Sequence, residues 1–337
     1  MSEIETIIGL DVGGTKTAVV EGTYGGEILQ RFELPTNADR LFAETFPDIC
    51  AIIDRAIQNA LDLNRTISCL SVSVGGPLHI RSGQILNPPH LPGWHNVRLV
   101  DRLNERYPDY PAFMEHDGNA GALAEFRFGS GRDSDDIKHL IFLTFGTGLG
   151  AGIIVNGRIL HGASDTAGEV GHWRLSDTGP VGFGKAGAWE GWSSGYGMLG
   201  LAAVKNPGRW GAATIRELVN DMLANDPDAL DIAAESGRWL GRGIALLVDA
   251  FNPHVVALGA LSAVLGDRIF IPLQEELERE ALPKAVAACR VIPAKLGESI
   301  GDVAALMAGI TEGSNQESGI SNQEPGTRNQ RHGPEHG

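Results

Sequence analysis

Asp117 stands in the run Glu115-His116-Asp117-Gly118-Asn119, at the predicted junction of a strand and a helix. An ionised carboxylate at such a point can orient an alcohol and take its proton while a phosphoryl group is transferred. The same position is that of a helix N-cap, whose side chain accepts backbone N–H bonds. The two readings are compatible, because N–H donors and the helix dipole keep an aspartate ionised. Further along, Ala167-Gly168-Glu169-Val170-Gly171-His172 offers a carboxylate and an imidazole three residues apart, and Glu190 follows in Trp189-Glu190-Gly191-Trp192-Ser193-Ser194-Gly195. Carboxylates, a histidine and aromatic faces suit a ligand rich in hydroxyl groups. Taken singly, Glu169 and His172 also read as hydrogen-bonding loop residues.

Two glycine turns of one design flank this set. The first is Asp11-Val12-Gly13-Gly14-Thr15-Lys16 and the second Phe145-Gly146-Thr147-Gly148-Leu149-Gly150, each between two apolar strands. Glycine lets the backbone take positive φ and come close to another group, and threonine adds a hydroxyl. Such a turn can aim several N–H groups at one phosphate. Either turn alone reads equally well as a plain β-hairpin. Both together, with Asp11 closing one strand, predict a duplicated domain with phosphates held between the copies.

Two other glycine patterns do not qualify. Gly179-Pro180-Val181-Gly182-Phe183-Gly184-Lys185-Ala186 nearly spells a P-loop, but Ala186 stands where the Mg²⁺-binding hydroxyl belongs and no apolar strand precedes it. Gly146-Thr147-Gly148-Leu149-Gly150 lacks the dinucleotide spacing and leads into a strand, not a helix.

The elements that must hold these residues follow from hydrophobic periodicity. Residues 4–11, 16–22 and 27–33 form a three-strand meander. Pro47 to about Leu63 is a helix with one apolar face and with proline in its first turn. Strands are predicted over Ile67–Val74, which runs into Gly75-Gly76-Pro77, and over Phe113–Glu115, with a helix over Gly118–Phe128. Lys138–Phe145 and Gly150–Ile159 repeat the opening hairpin. Helices dominate from about Ala212 to Asp249, His254–Leu258 is a strand ending at Gly259-Ala260, and Ser299–Ile310 is a last helix. The expected division is a smaller α/β domain over 1–117, joined by the C-terminal helix 299–312, and a larger one over 118–298. From Gly313 to residue 337 almost nothing is apolar and Ser-Asn-Gln-Glu recurs, which predicts a disordered tail.

A chain of 337 residues suits two domains. Its 45 glycines are nearly twice the usual share of about 7%, and many fall in the turns just described. The formal charge of −15 argues against a nucleic-acid partner, which needs a basic face. A nucleotide can still be held by local N–H groups and Mg²⁺. Three scattered cysteines make neither a disulfide ladder nor a CxxC pair. No signal segment and no apolar run of about 20 residues is apparent, so the expected location is cytoplasmic, with no membrane partner.

Together these motifs, in this order, resemble those of the ROK family of bacterial sugar kinases and related repressors, over residues 4 to about 312. The resemblance implies the two-domain actin-like (ribonuclease H-like) α/β ATPase fold, with nucleotide in the interdomain cleft. It implies that Asp11, Gly13, Gly14, Thr15, Lys16, Gly146, Thr147 and Gly148 face ATP, with Mg²⁺ arriving near Asp11, and that Gly259 and Ala260 lie beside the adenosine. Asp117 is then the catalytic base on a sugar 6-hydroxyl, and Gly76, His90, His116, Glu169, His172 and Glu190 line the sugar side. The implied activity is ATP-dependent phosphorylation of a hexose, glucose first, in a homodimer that takes part in glycolysis. N-acetylmannosamine or N-acetylglucosamine kinase activity is the alternative within the fold, and a non-catalytic sugar-binding sensor the alternative outside the enzymes.

Three departures from the family pattern stand out. Its zinc-binding cysteines align with Val181, Phe183 and Ala188, and His172 alone cannot hold a structural zinc, which takes four ligands. No zinc is therefore expected, and Phe183, Trp189 and Trp192 are expected to fill the space. His116 replaces the usual asparagine before the catalytic aspartate, and His90 replaces the asparagine of the sugar loop. The family's repressors carry a helix-turn-helix before the first strand, for which three residues leave no space here.

Overall fold

The computed structural model describes residues 4–317. The first half comprises β1 (Ile4–Val12), β2 (Lys16–Thr23), β3 (Ile28–Pro35), α1 (Phe42–Asp62), β4 (Arg65–Val74), the short β5 (Leu78–His79) and β6 (Gln84–Ile85), α2 (Leu99–Arg106), β7 (Ala112–His116) and α3 (Asp117–Phe128). The second comprises β8 (Leu140–Leu143), β9 (Ala151–Val155), β10 (Arg158–Ile159), a hairpin of β11 (Val181–Gly182) and β12 (Lys185–Ala186), α4 (Trp189–Ser193), α5 (Gly195–Lys205), α6 (Pro207–Trp210), α7 (Ile215–Leu223), α8 (Pro227–Phe251), β13 (Val255–Leu258), α9 (Ala260–Leu265), α10 (Asp267–Glu280), α11 (Pro283–Ala288), β14 (Arg290–Pro293) and α12 (Ile300–Glu317).

The two halves repeat one topology. The first sheet has the order β3-β2-β1-β4-β7 and the second β10-β9-β8-β13-β14. In each, three strands run as an antiparallel meander and two more join in parallel. This is the duplicated α/β architecture that the paired glycine turns predict. The parallel strands are covered on both faces, so β4 reads as an unbroken apolar and small-residue run, Cys69–Val74, all buried.

The helix after each sheet crosses to the other half. α3 follows β7 but packs on β8 and β9, and α12 follows β14 but packs on β1 and β4, with the two helices against each other. Both crossings need bare backbone. A Cβ at Gly152 of β9 would lie 2.2 Å from the Gly118 carbonyl oxygen of α3, and one at Gly9 of β1 would lie 2.9 Å from the Ala305 carbonyl of α12. The seam between the sheets is the apolar cluster of Ile7, Val20, Ala120, Phe142, Ile154, Ala305 and their neighbours. Separate cores lie under each outer face.

Two expected boundaries shift. α1 starts at Phe42 rather than Pro47, so the proline lies inside the helix. The extra turn is held by Glu44, whose side chain accepts from the Leu41 N–H at 3.3 Å, and by Phe42, whose ring contacts Phe46 and meets Trp94 edge-on at 5.0 Å. α12 continues through Glu317, so residues 313–317 of the polar C-terminal stretch are helical and not a disordered tail. They extend a helix already anchored by Val303–Ile310. The remainder of that stretch lies outside the described residues. Among the described residues no helix is long and apolar enough to cross a membrane.

Candidate active site

The carboxyl ends of β1, β4, β7, β8 and β13 carry the predicted residues. At the end of β1, Asp11 leads into a turn closed by the Gly13 N–H donating to the Lys16 carbonyl (3.0 Å). Thr15 and Lys16 are exposed, and Lys16 Nζ lies 3.1 Å from Glu33 Oε2. The second turn is closed more elaborately. The Thr144 N–H donates to the Gly150 carbonyl (3.0 Å), and the Gly150 N–H donates back to Thr144 Oγ1 (2.8 Å). Gly195 and Tyr196, which open α5, donate to the carbonyls of Gly146 (2.7 Å) and Thr147 (3.1 Å). Gly259, at the end of β13, is tied to the same turn: its N–H donates to Leu143 (2.8 Å), and that of Leu261 to Phe145 (3.2 Å).

Asp117 is the first residue of α3, not its N-cap. The cap is His116, whose Nδ1 accepts from the Gly118 N–H at 3.2 Å, because the imidazole reaches over the first turn. Asp117 Oδ1 accepts from the same N–H at 2.6 Å. This leaves Asp117 half exposed, with Oδ2 not engaged in that bond. His116 Nδ1 lies 3.3 Å from Asp117 Oδ1 and its Nε2 lies 3.7 Å from Glu169 Oε1. Glu169 Oε2 in turn is 4.0 Å from His172 Nε2. Asp117, His116, Glu169 and His172 therefore form one continuous polar chain.

His90 closes the other side. A Cβ at Gly75 would lie 2.5 Å from the His90 Cε1 and 3.2 Å from Asp117 Oδ2, and a Cβ at Gly14 would lie 2.7 Å from the His90 carbonyl oxygen. The first glycine turn, the strand end at Gly75, His90 and Asp117 thus meet in one place. Gly76 lies against the His116 ring in the same way. Burial pushes the His90 imidazole toward its neutral form; Asp117 opposes this and His116 adds to it.

Ala151, just after the second turn, is approached closely by backbone from two sides. Gly118 of α3 approaches its backbone from one side. From the other, Gly168 accepts the Ala151 N–H (2.8 Å) at φ +95°, where a Cβ would lie 1.9 Å from the Ala151 oxygen. Only glycine fits there, and it sets the path of the Glu169 segment.

Glu190 sits behind the second glycine turn, where its Oε2 accepts from the Leu149 N–H at 3.0 Å. Its pKa is raised by burial, lowered by that N–H and raised again by Glu169. Asp11 is pushed up to about 7, chiefly by burial and then by the charges of Asp117 and Asp302. Asp302 belongs to the first turn of α12 and is held by Arg31 Nε at 2.9 Å. Among the described residues no three His, Cys, Asp or Glu side chains are grouped to hold a metal by themselves. Val181, Phe183 and Ala188 lie on and beside the β11–β12 hairpin, and the Phe183 ring stacks on His172. Trp189 is fully buried, and Trp192 stacks on Trp239.

Three residues escaped the sequence reading. Glu115 is buried and uses both oxygens: Oε1 accepts from the His116 N–H (2.9 Å) and Asn119 Nδ2 (3.0 Å), and Oε2 lies 2.8 Å from His161 Nε2. Asp165 accepts the Ile80 N–H at 3.1 Å. Glu115 is adjacent in sequence to His116 and Asp117, but a lone histidine (His161) and a loop aspartate (Asp165) carry no sequence signal of their partners.

Residues 7–308 match the ROK family. The chain is 29% identical over 307 residues to a glucokinase of Halalkalibacterium halodurans, covering 87% of this chain and 92% of that protein. It is also 29% identical over 290 residues to a putative xylose repressor of a Caldicellulosiruptor species, covering 83% of this chain and 70% of the repressor. Among solved structures, a ROK family glucokinase from Streptomyces griseus in complex with glucose and AMPPNP superposes with a TM-score of 0.74 at 28% identity, over 89% of this chain and 97% of that one.

Proposed function

This chain belongs to the ROK family, and from that premise we propose that it is an ATP-dependent hexose kinase that phosphorylates the 6-hydroxyl of glucose. The observation that carries the reading is the position of Asp117. Its half-exposed carboxylate stands between a polar wall of His116, Glu169 and His172 and the side closed by His90 and the glycine turn that follows Asp11. A hydroxylated ring and a polyphosphate fit those two sides, and a non-catalytic sensor need not keep a carboxylate between them.

In the proposed reaction Asp117 accepts the proton of the 6-hydroxyl. The oxygen's electron pair forms the bond to the γ-phosphorus, and the bond from that phosphorus to the bridging oxygen breaks, so that ADP leaves with the electrons. Glu169, His172 and His116 orient the sugar through its hydroxyls. The backbone N–H groups of Gly14, Thr15, Thr147 and Gly148 are the ones offered to phosphate oxygens, since those of Gly13, Gly146, Leu149 and Gly150 already donate to Lys16, Gly148, Glu190 and Thr144. The residues present suit Mg²⁺: Asp11 is a carboxylate held part-protonated by burial and by Asp117 and Asp302, the surroundings a divalent cation relieves. Mg²⁺, when bound with the nucleotide beside Asp11, supplies neutralisation of the charge on the transferring phosphoryl group.

A coupled ADP-release assay with ATP and Mg²⁺ across glucose, mannose, fructose, N-acetylglucosamine and N-acetylmannosamine tests the proposal. Turnover fastest on glucose supports it. Turnover only on an N-acetyl sugar replaces the substrate, and silence on all five with glucose binding retained in calorimetry replaces the enzyme by a sensor.

A further inference from the structure

The β11–β12 hairpin closes through Phe183-Gly184, and both residues take positive φ, +51° and +72°. Positive φ at both central positions is the type I′ geometry, which favours asparagine followed by glycine. A bulky aromatic at the first of them is a backbone outlier. Such an outlier persists where the surroundings over-determine it, and it asks what the residue is for.

The hairpin is well anchored at its base without Phe183. The Leu175 N–H donates to the Gly187 carbonyl (2.8 Å) and the Gly187 N–H to that of Pro180 (2.9 Å). Trp192 Nε1–H donates to Ser176 Oγ (3.0 Å). The Phe183 side chain is not a core group either, since the residue keeps 43% of its surface in solvent. What its ring touches is His172: the two rings stack with centroids 3.5 Å apart and planes 22° from parallel. His172 leads by Nε2 to Glu169, and Glu169 leads to His116 beside Asp117.

We propose that Phe183 is a positioning residue of the sugar side, its ring clamping the His172 imidazole so that His172 and Glu169 present one fixed polar edge to the ligand. The strained turn is then retained for the site and not for the fold. This inference rests on the sugar-kinase reading above and adds to it a residue that does not itself touch substrate.

Phe183→Asn installs the residue the turn favours and removes the ring. The melting temperature should stay level or rise. The His172 ring-proton resonances, assigned by their loss in His172→Gln, should move downfield as ring-current shielding disappears. The glucose KM should rise about fivefold, the factor that one aromatic stack is worth, with kcat within about twofold. Phe183→Tyr should restore both KM and resonances. Unchanged KM and resonances in Phe183→Asn overturn the proposal, and so does a drop in melting temperature of more than a few degrees, which would make the ring structural. If the parent chain phosphorylates no hexose, the kinase reading fails separately. The resonances and the calorimetric glucose affinity of Phe183→Asn then still decide the role of Phe183.

Discussion

His161 Nε2 lies 2.8 Å from Glu115 Oε2 and so ties the loop that carries Glu169 to the strand that delivers Asp117. Glu115 is buried on β7 of the first sheet, while His161 follows β10 of the second. The contact therefore spans the two halves directly behind the catalytic candidate. Asp165 makes a second tie from the same loop by accepting the Ile80 N–H. These two contacts hold the loop that carries Glu169 against β7 and the Ile80 segment.

Glu115 raises the pKa of His161 through its hydrogen bond, against the effect of burial. The folded state thus binds the histidine proton more tightly than the unfolded chain does. The resulting stabilisation is complete below the unfolded histidine pKa and is lost as pH rises through the elevated folded value. His161→Gln should accordingly cost about 1–2 kcal/mol near pH 5.5, allowing for partial solvent screening, and distinctly less at pH 9. Urea unfolding of both proteins at the two pH values checks it; an equal cost at both would remove the charge from the account.

Removing the proposed base should abolish chemistry and spare binding. Asp117→Asn is expected to lower kcat by about 10²–10⁴-fold, the usual contribution of a positioned base. Glucose affinity by calorimetry should stay within about threefold, since the polar wall of His116, Glu169 and His172 remains. A variant that keeps a tenth of parental turnover would mean that another group takes the proton.

The raised pKa of Asp11 gives a pH dependence of the same sign as that of His161, but from a charged form that the fold disfavours. A carboxyl pushed up to about 7 favours its protonated form in the fold. Stability is therefore lost as pH rises from the ordinary carboxylate range through about 7. Asp11→Asn removes the charge, so its melting temperature should exceed the parent's at pH 8 and match it near pH 4. Turnover with ATP and Mg²⁺ should fall by about 10²-fold or more if the carboxylate serves the cation. In the parent chain the affinity for the Mg²⁺ complex of ATP should weaken as pH drops below 7, readable by calorimetry.

Gly168→Ala tests the close approach to Ala151. The substitution meets both a φ of +95° and a carbonyl oxygen 1.9 Å from the new Cβ. We expect a loss of about 2–4 kcal/mol of stability, or a displaced Glu169 segment with glucose affinity reduced at least tenfold if the backbone yields instead. Chemical denaturation and calorimetry together distinguish the two results. A variant unchanged in both would show that the approach of Gly168 to Ala151 is not needed.

The elements that were legible are those whose signal is local. The apolar strands around Asp11 and Gly146 announce the duplicated meanders, and the glycines between them announce the turns. The start of α1 was not legible, because Phe42 joins the helix through its packing on Phe46 and Trp94, the latter distant in sequence. The cap of α3 moved by one residue because an imidazole can do the work of a capping carboxylate, which residue preferences alone rank low. The polar stretch at 313–317 is helical because α12 is nucleated and buried upstream, and a helix once begun propagates cheaply.

What the sequence determined by itself is the chemistry available: a carboxylate at a strand-to-helix junction, two glycine turns of one design, and a glycine-flanked Glu169 and His172. Those follow from residue type and short-range spacing, on which backbone conformation depends directly. Only the tertiary structure decided which groups meet. Packing of the two halves brings Glu115 to His161, Asp302 toward Asp11 and His90 to Asp117, and the fold of the β11–β12 hairpin lays the exposed Phe183 ring onto His172. Each pair except the last is far apart in the chain and is set by close packing and by the need to pair polar groups withdrawn from water. No local pattern encodes either.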